Sequence, residues 1–225
     1  MKTFFIKIRK KDIFISFFLS LFFILLAICI VVFCKYLYYF DIGYLHIDEL
    51  TGLPVDVIKR NYDVLIDYQS LFFNGPLILP DFVMSNHGSI HFEEVKRIFE
   101  GIQFACLISG IVSLILVGHS LYEREYRFLK LTSLLTIGIP TVLGFFVALD
   151  FEGWFLFFHK LVFSNTYWYF EPSVDPIILI LPERFFMHSF FMILFLLVMM
   201  SYGCMKFYQY ESRKVLKNSK ESLEI

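Results

Sequence analysis

Two histidines stand where an imidazole can do proton chemistry: His91 in the run HFEEVKRIF and His159 in FFHKLVF. Near neutral pH an imidazole takes up a proton and gives it back, which is what acyl transfer to or from an ester requires. Each sits at the edge of a long apolar run, so the two are expected at one membrane depth, approached from different parts of the chain. A lone histidine in such a place is most often a hydrogen-bonded packing residue, but two converging on one boundary point to function. Charged neighbours extend the set. Asp81, Glu93, Glu94, Asp175 and Glu183 are candidates to orient a ring, while Lys96, Lys160 and Arg184 are candidates to hold a phosphate, a peptide carbonyl or a developing oxyanion. Taken singly, interfacial Lys and Arg more often snorkel to head groups than bind a substrate.

No covalent nucleophile accompanies the histidines. The chain has no GxSxG elbow, and Cys29, Cys34, Cys106 and Cys204 all fall inside apolar runs, so they predict neither a disulfide framework nor a reactive outer thiol. Ser85, Ser89 and Ser164 read as caps or turn residues. A group transfer at this site therefore leaves the attacking atom to the substrate, with the protein supplying proton transfer and orientation. A rival chemistry is metal binding, giving a zinc-dependent membrane hydrolase: His87 and His91 have i, i+4 spacing and His159 is a third ligand candidate. Gly88 and Ser89 weaken the helix turn this needs, and the glutamate of an HExxH motif is absent. A third reading is a non-enzymatic scaffold or sensor whose histidines point into packing.

The elements that must hold these residues are set by composition. Of 225 residues 58% are hydrophobic and 20% aromatic, including 30 Phe, and the mean hydropathy is +0.67. Such a chain is solvated by a bilayer and aggregates in water. A net charge of -1 argues against a nucleic-acid partner. Four apolar runs predict transmembrane helices at about 13–34, 98–122, 131–149 and 185–207, with Gly138 and Pro140 as a kink in the third. The first run follows Lys2, Lys7, Arg9, Lys10 and Lys11 and imitates a signal peptide. It is too long for one and lacks a small-x-small cleavage site, so a retained helix is expected. Leu26-Ala27-Ile28-Cys29 half-resembles a lipidation box, but Ile28 is too bulky.

Basic residues concentrate at the amino end, in the 123–130 turn (Arg124, Arg127, Lys130) and in the tail (Arg213, Lys214, Lys217, Lys220), which places all three in the cytoplasm. His119 then lies near the cytoplasmic end of the second helix, and His46, His87, His91, His159 and His188 on the outer side. The two long loops, about 41–97 and 150–184, meet outside. The expectation is a single integral domain: an all-α membrane protein of four transmembrane helices with an extracytoplasmic cap made by those two loops. Tyr36, Tyr38, Tyr39, Phe40 and Tyr44 mark the far interface where the first loop begins, and within that loop Val55, Ile58, Tyr62, Leu65 and Ile66 recur at helical spacing over 49–68. Gly75, Pro76 and Pro80 read as turns. The second loop interleaves aromatics with ionisable groups, and Pro172, Pro176 and Pro182 exclude a long helix there. No internal repeat supports an inverted-repeat transporter.

The runs LPDFVMSNHGSIHFEEVKRIF and FFHKLVFSNTYWYFEPSVDPIILILPERFFMH, together with the Tyr62 and Tyr68 region, resemble the bacterial lipoprotein intramolecular transacylases (Lit), four-helix membrane proteins of Gram-positive bacteria. The likeness extends over nearly the whole chain. It implies a diacylated lipoprotein as substrate: the sn-2 acyl chain of the diacylglyceryl-cysteine moves to the cysteine α-amine and leaves a lyso-form lipoprotein. The family's two essential histidines fall on His91, in His-Phe-x-x-Val-Lys, and His159, in Phe-His. Where the family often has Asp-Val-Lys, this chain has Glu94-Val95-Lys96. Asn165, Trp168, Asp175, Arg184, Lys96 and Tyr62 are the expected substrate-binding residues. No cofactor is needed, membrane lipids are the surroundings, and no feature of the sequence sets an oligomeric state. His91 is expected to take the ammonium proton and His159 to stabilise the oxyanion or protonate the leaving alkoxide, although spacing alone does not separate the two roles.

Overall fold

A computed structural model describes residues 9–221, without the side chains of Ile139 and residues 215–221. Lys2 and Lys7, and the side chains of Lys217 and Lys220, thus lie outside the described residues. The described chain is helical throughout, with no strand among its elements: α1 (Lys10–Phe33), α2 (Lys35–Tyr44), α3 (Ile47–Thr51), α4 (Val55–Tyr68), α5 (Asn86–Tyr122), α6 (Arg127–Leu149), α7 (Phe151–Val162), a single 3-10 turn (Pro176–Ile180) and α8 (Glu183–Glu221). Four of these, α1, α5, α6 and α8, are long and apolar enough to cross a membrane. At 1.5 Å per residue, even the 23 residues of α6 reach about 34 Å, enough for roughly 30 Å of hydrocarbon.

The boundaries move where capping overrides local composition. The second crossing was expected from Ile98, yet α5 begins twelve residues earlier, at Asn86, and carries the weak Gly88-Ser89 turn as helix. Ser85 accounts for this. Its Oγ accepts the Gly88 N–H at 2.9 Å, while the Asp175 carboxylate accepts both the Ser85 N–H and the Ser85 hydroxyl at 2.7 Å. A cap supplied from 90 positions away rescues a turn that propensity disfavours. The fourth crossing likewise extends beyond 185–207: α8 is helical through the charged tail to Glu221. The third runs from Arg127 rather than Leu131 and continues through Pro140. It ends at Asp150, whose extended backbone breaks the helix and whose Oδ1 accepts the Gly153 N–H at 2.9 Å, starting α7.

The described residues divide into two compact units. One comprises 9–27, 105–143 and 194–221. Its core joins Ile15, Leu19, Phe128, Leu129 and Cys204, and buried hydroxyls supply the polar ties: Ser16 donates to the Phe128 carbonyl at 2.9 Å, and Ser133 pairs with Ser201 at 2.8 Å. Arg9 and Lys11 close it with ion pairs to Glu125, and Lys11 also pairs with Glu123.

The other unit, 28–104 and 144–193, contains both histidines of interest. Tyr38 and Tyr62 stack at 3.6 Å in its centre, with Phe185 edge-on to both, and Ile58, Leu65, Ile66, Ile177 and Ile180 packed around them. The Tyr38 hydroxyl donates to the Ile180 carbonyl at 2.5 Å. Periodicity read the buried face of α4 correctly at Ile58, Tyr62, Leu65 and Ile66, whereas Val55, in its first turn, is 39% exposed. Tyr36, Phe40 and Tyr44 are exposed, but Tyr38, expected among the interfacial rings, is fully buried because it faces the Tyr62 ring. Asp41, on the same helix, is fully buried and meets His188 Nδ1 at 2.8 Å. Burial raises the Asp41 carboxyl above the ordinary carboxylate range, against the opposing pull of His188.

Asp41 is buried while His188 is partly exposed, so removing the imidazole leaves a buried carboxyl without its partner, at a cost of about 1–3 kcal/mol. The His188→Ala variant is therefore expected to melt several degrees below wild type in detergent. Arg60→Ala, which breaks the exposed Arg60–Asp81 clasp at 2.6 Å, should leave the melting temperature little changed. Thermal denaturation of the purified variants checks both.

Candidate active site

His91 lies on the second turn of α5 and His159 on the last turn of α7, and the fold brings their ring centroids to 6.2 Å. The first is buried at 5% exposure and the second is half-buried. Aromatic side chains wall the pair: Phe163 lies 4.8 Å from His91 and 5.7 Å from His159, Phe170 lies 5.4 Å from His91, and Phe155 and Trp168 lie 4.2 and 5.1 Å from His159. Apolar walls of this kind exclude water and disfavour a charged ring.

The two nitrogens of His159 are not equivalent. Nδ1 lies 2.7 Å from the Phe155 carbonyl oxygen, an acceptor that carries no proton, so Nδ1 holds the hydrogen and Nε2 keeps the lone pair. His159 is thus a neutral base presented through Nε2. Burial lowers its pKa below the ordinary histidine value, with the Phe155 hydrogen bond opposing. His91 differs: its ring is hydrogen-bonded to no described residue, and its Nδ1 is buried without a partner. Native structures rarely leave a buried polar atom unsatisfied, so this nitrogen is open to a partner.

The other predicted residues divide between the pair and the scaffold. Asn165 is at the site. Its Nδ2 donates to Glu94 Oε1 at 2.8 Å, its side-chain oxygen accepts the Tyr167 N–H at 3.0 Å, and its backbone carbonyl accepts Trp168 Nε1 at 2.9 Å. One amide thereby ties the aromatic 163–170 segment to α5 and sets the Trp168 ring against His159. Asp175, buried, is committed to Ser85, whose hydroxyl oxygen accepts the Gly88 N–H, and hydrogen-bonds neither imidazole. Lys96 donates to the Tyr68, Ser70 and Phe73 carbonyls at 2.6, 3.0 and 3.2 Å and pairs with Glu100, closing the end of α4. Tyr62 is a core ring. Arg184 is exposed in the first turn of α8, with no ion pair to a described residue.

Metal ligation does not assemble. His87 turns away to stack on Tyr167 at 4.1 Å, and among the described residues no three His, Cys, Asp or Glu side chains group as metal ligands. Ser85 acts as a helix cap. Glu94 is the site residue that sequence reasoning left among the ring-orienting candidates. Its place three residues after His91, on the same helix face, was the available signal.

Four helices long and apolar enough to cross a membrane and a pair of neutral imidazoles in an aromatic enclosure, with no side-chain nucleophile beside them among the described residues, fit a polytopic membrane enzyme of the acyltransferase class. The chain belongs to the lipoprotein intramolecular transacylase (Lit) family, whose model matches residues 13–186. It is similar to the membrane-integral lipoprotein intramolecular transacylase of Bacillus cereus in its crystal structure, with 42% identity and a TM-score of 0.89, covering 92% of this chain and 96% of that one. Two structures of the B. cereus protein with one histidine replaced by arginine or by alanine match at 41% identity and TM-scores of 0.84. They cover 92% of this chain and 93% and 94% of theirs. Among curated protein sequences none matches.

A histidine whose pKa is depressed stays neutral, and so competent as a base, to lower pH than a solvated imidazole. The acid limb of the kcat/KM profile for acyl transfer is expected below pH 6.5, and a series of initial rates between pH 5 and 9 checks it.

Proposed function

We propose that this protein moves the sn-2 acyl chain of a diacylglyceryl-modified lipoprotein to the α-amine of the same N-terminal cysteine, giving the lyso-form. The observation that carries this reading is the 6.2 Å pairing of His91 and His159 inside one aromatic enclosure. A substrate holding donor and acceptor in one molecule needs proton transfer at its two ends and no acyl-enzyme, and two adjacent imidazoles suit that need.

An α-ammonium with a reference pKa of about 7.7–8.0 must lose a proton before it attacks an ester. The Nδ1–H bond to the Phe155 carbonyl supports giving this step to His159 Nε2, the reverse of the order expected from sequence. The amine nitrogen then bonds to the sn-2 carbonyl carbon, and the resulting oxyanion takes a hydrogen bond from the His91 ring. As the intermediate collapses, the bond from carbon to the glyceryl oxygen breaks, the protonated His159 returns its proton to the leaving alkoxide, and the second proton on the attacking nitrogen is released to solvent, leaving a neutral amide. Ester and amine have become amide and alcohol, with no change of mass.

Phe163, Trp168 and Phe170 enclose the reacting groups, while Asn165 holds their segment in place. Lys96, Tyr62 and Asp175 support the site from outside it. Arg184, exposed near the start of α8 and ion-paired to no described residue, is a cation suited to a lipid phosphate or to the substrate's peptide portion. Basic residues at Arg9, Lys10 and Lys11, at Arg124, Arg127 and Lys130, and at Arg213 and Lys214 support cytoplasmic termini and an extracytoplasmic site. On that orientation α2 to α4 and α7 form the cap, with membrane lipids around them. Exposed Phe157, Phe158 and Leu161 on α7 fit a helix lying along hydrocarbon.

The test is conversion of a diacylated lipopeptide by the purified full chain, followed by tandem mass spectrometry. Wild type is expected to give an isomer of unchanged mass with one chain on nitrogen, and His91→Ala and His159→Ala each to slow this by about 10²-fold or more. Full conversion by both variants would reject the assignment.

A further inference from the structure

A second buried polar atom next to the enclosing segment lacks a partner. Glu94 Oε2 is buried and without a hydrogen-bond partner, and among the described residues no other carboxylate oxygen is left that way. Its twin Oε1 is held by Asn165 at 2.8 Å, so the carboxylate is aimed rather than free to turn away. Glu94 follows His91 by three residues on α5, a spacing that sets Cβ atoms about 5–6 Å apart on one helix face. Two polar atoms on residues of that face, His91 Nδ1 and Glu94 Oε2, are buried without a partner. Three other carboxylates of this unit are committed elsewhere: Asp175 to Ser85, Asp41 to His188 and Glu93 to Arg97.

Aromatic walls and neutral imidazoles supply no negative charge to balance a cation, and a half-satisfied buried carboxylate calls for a ligand that donates hydrogen bonds and carries positive charge. We propose that Glu94 is the anchor for a primary ammonium, the α-amino terminus of the lipid-modified cysteine, with Oε2 accepting one of its N–H groups. This rests on the acyl-transfer reading and names the group that positions the attacking nitrogen. Anchored there, the ammonium keeps one N–H on Glu94 while another is directed to His159 Nε2. The anchor also makes the site selective: a terminus already acylated on nitrogen brings no cation and gains nothing from Glu94.

The experiment uses two unreactive ligands, a dialkyl-ether analogue of the diacylglyceryl-cysteinyl peptide with its α-amine and the same compound with hydrogen in place of the amine. Affinities are measured at pH 6.5 on the full chain in lipid nanodiscs, with conversion of the diester lipopeptide assayed in parallel. Wild type is expected to favour the amine ligand by about tenfold, Glu94→Gln to bind both alike, and Glu94→Asp to keep part of the preference. The ratio of two affinities on one sample is insensitive to a fraction of misfolded protein, and the amine-free ligand reports any loosening of the Asn165 contact. A Glu94→Gln ratio equal to wild type, or a wild type that converts the diester but binds both ligands alike, overturns the anchor and leaves the acyl-transfer reading standing. A wild type that does not convert the diester overturns both.

Discussion

The site depends on one carboxylate that performs no chemistry. Asp175 closes on the Ser85 N–H and hydroxyl at 2.7 Å, across 90 positions of chain, and so fixes where α5 begins. A Cβ at Gly88 would stand 2.5 Å from Asp175 Oδ1 and 3.2 Å from the Met84 side chain, so the close approach requires glycine there. Helix phase then propagates from the cap. With the first turn pinned, His91 and Glu94 turn toward the 163–170 segment, while Lys96, on another face, reaches the carbonyls that end α4.

Most charged groups near the site serve the scaffold, for a physical reason. An ionised side chain with little access to water is tolerated only when paired, so Lys96 gathers three carbonyls and a carboxylate, and Asp41 is held by His188. Neutral imidazoles are spared this requirement. They can remain under-bonded in an apolar wall, ready for a substrate, at a smaller cost than an unpaired charge. Asn165, neutral and with three partners, joins the two kinds of neighbourhood by linking the Glu94 carboxylate to the Trp168 ring that flanks His159.

The break between α6 and α7 has a comparable economy of means. Asp150 leaves helical geometry and caps the next helix through Gly153, so α7 starts at once without a loop. None of its residues is buried. Its hydrophobic side chains are instead the kind a lipid interface solvates, and His159 sits near its end, where the Phe155 carbonyl one turn earlier fixes the tautomer.

The amino-acid order alone determined the class: long apolar runs admit only helices in a bilayer, because backbone groups there must bond within their own segment. It also determined the buried face of α4, since Ile58, Tyr62, Leu65 and Ile66 recur with helical period, and it singled out His91 and His159, which are ionisable groups at the ends of apolar runs. What composition could not convey were facts that depend on distant partners. The early start of α5 needs Asp175, the burial of Tyr38 needs the Tyr62 ring, and the scaffold role of Lys96 needs three carbonyls from the end of another helix. The assignment of His159 Nδ1 as the protonated nitrogen and the unfilled oxygen of Glu94 belong to the same group. Each is a matter of ångströms between residues that lie far apart in the chain or share a helix face, and only tertiary packing sets those distances.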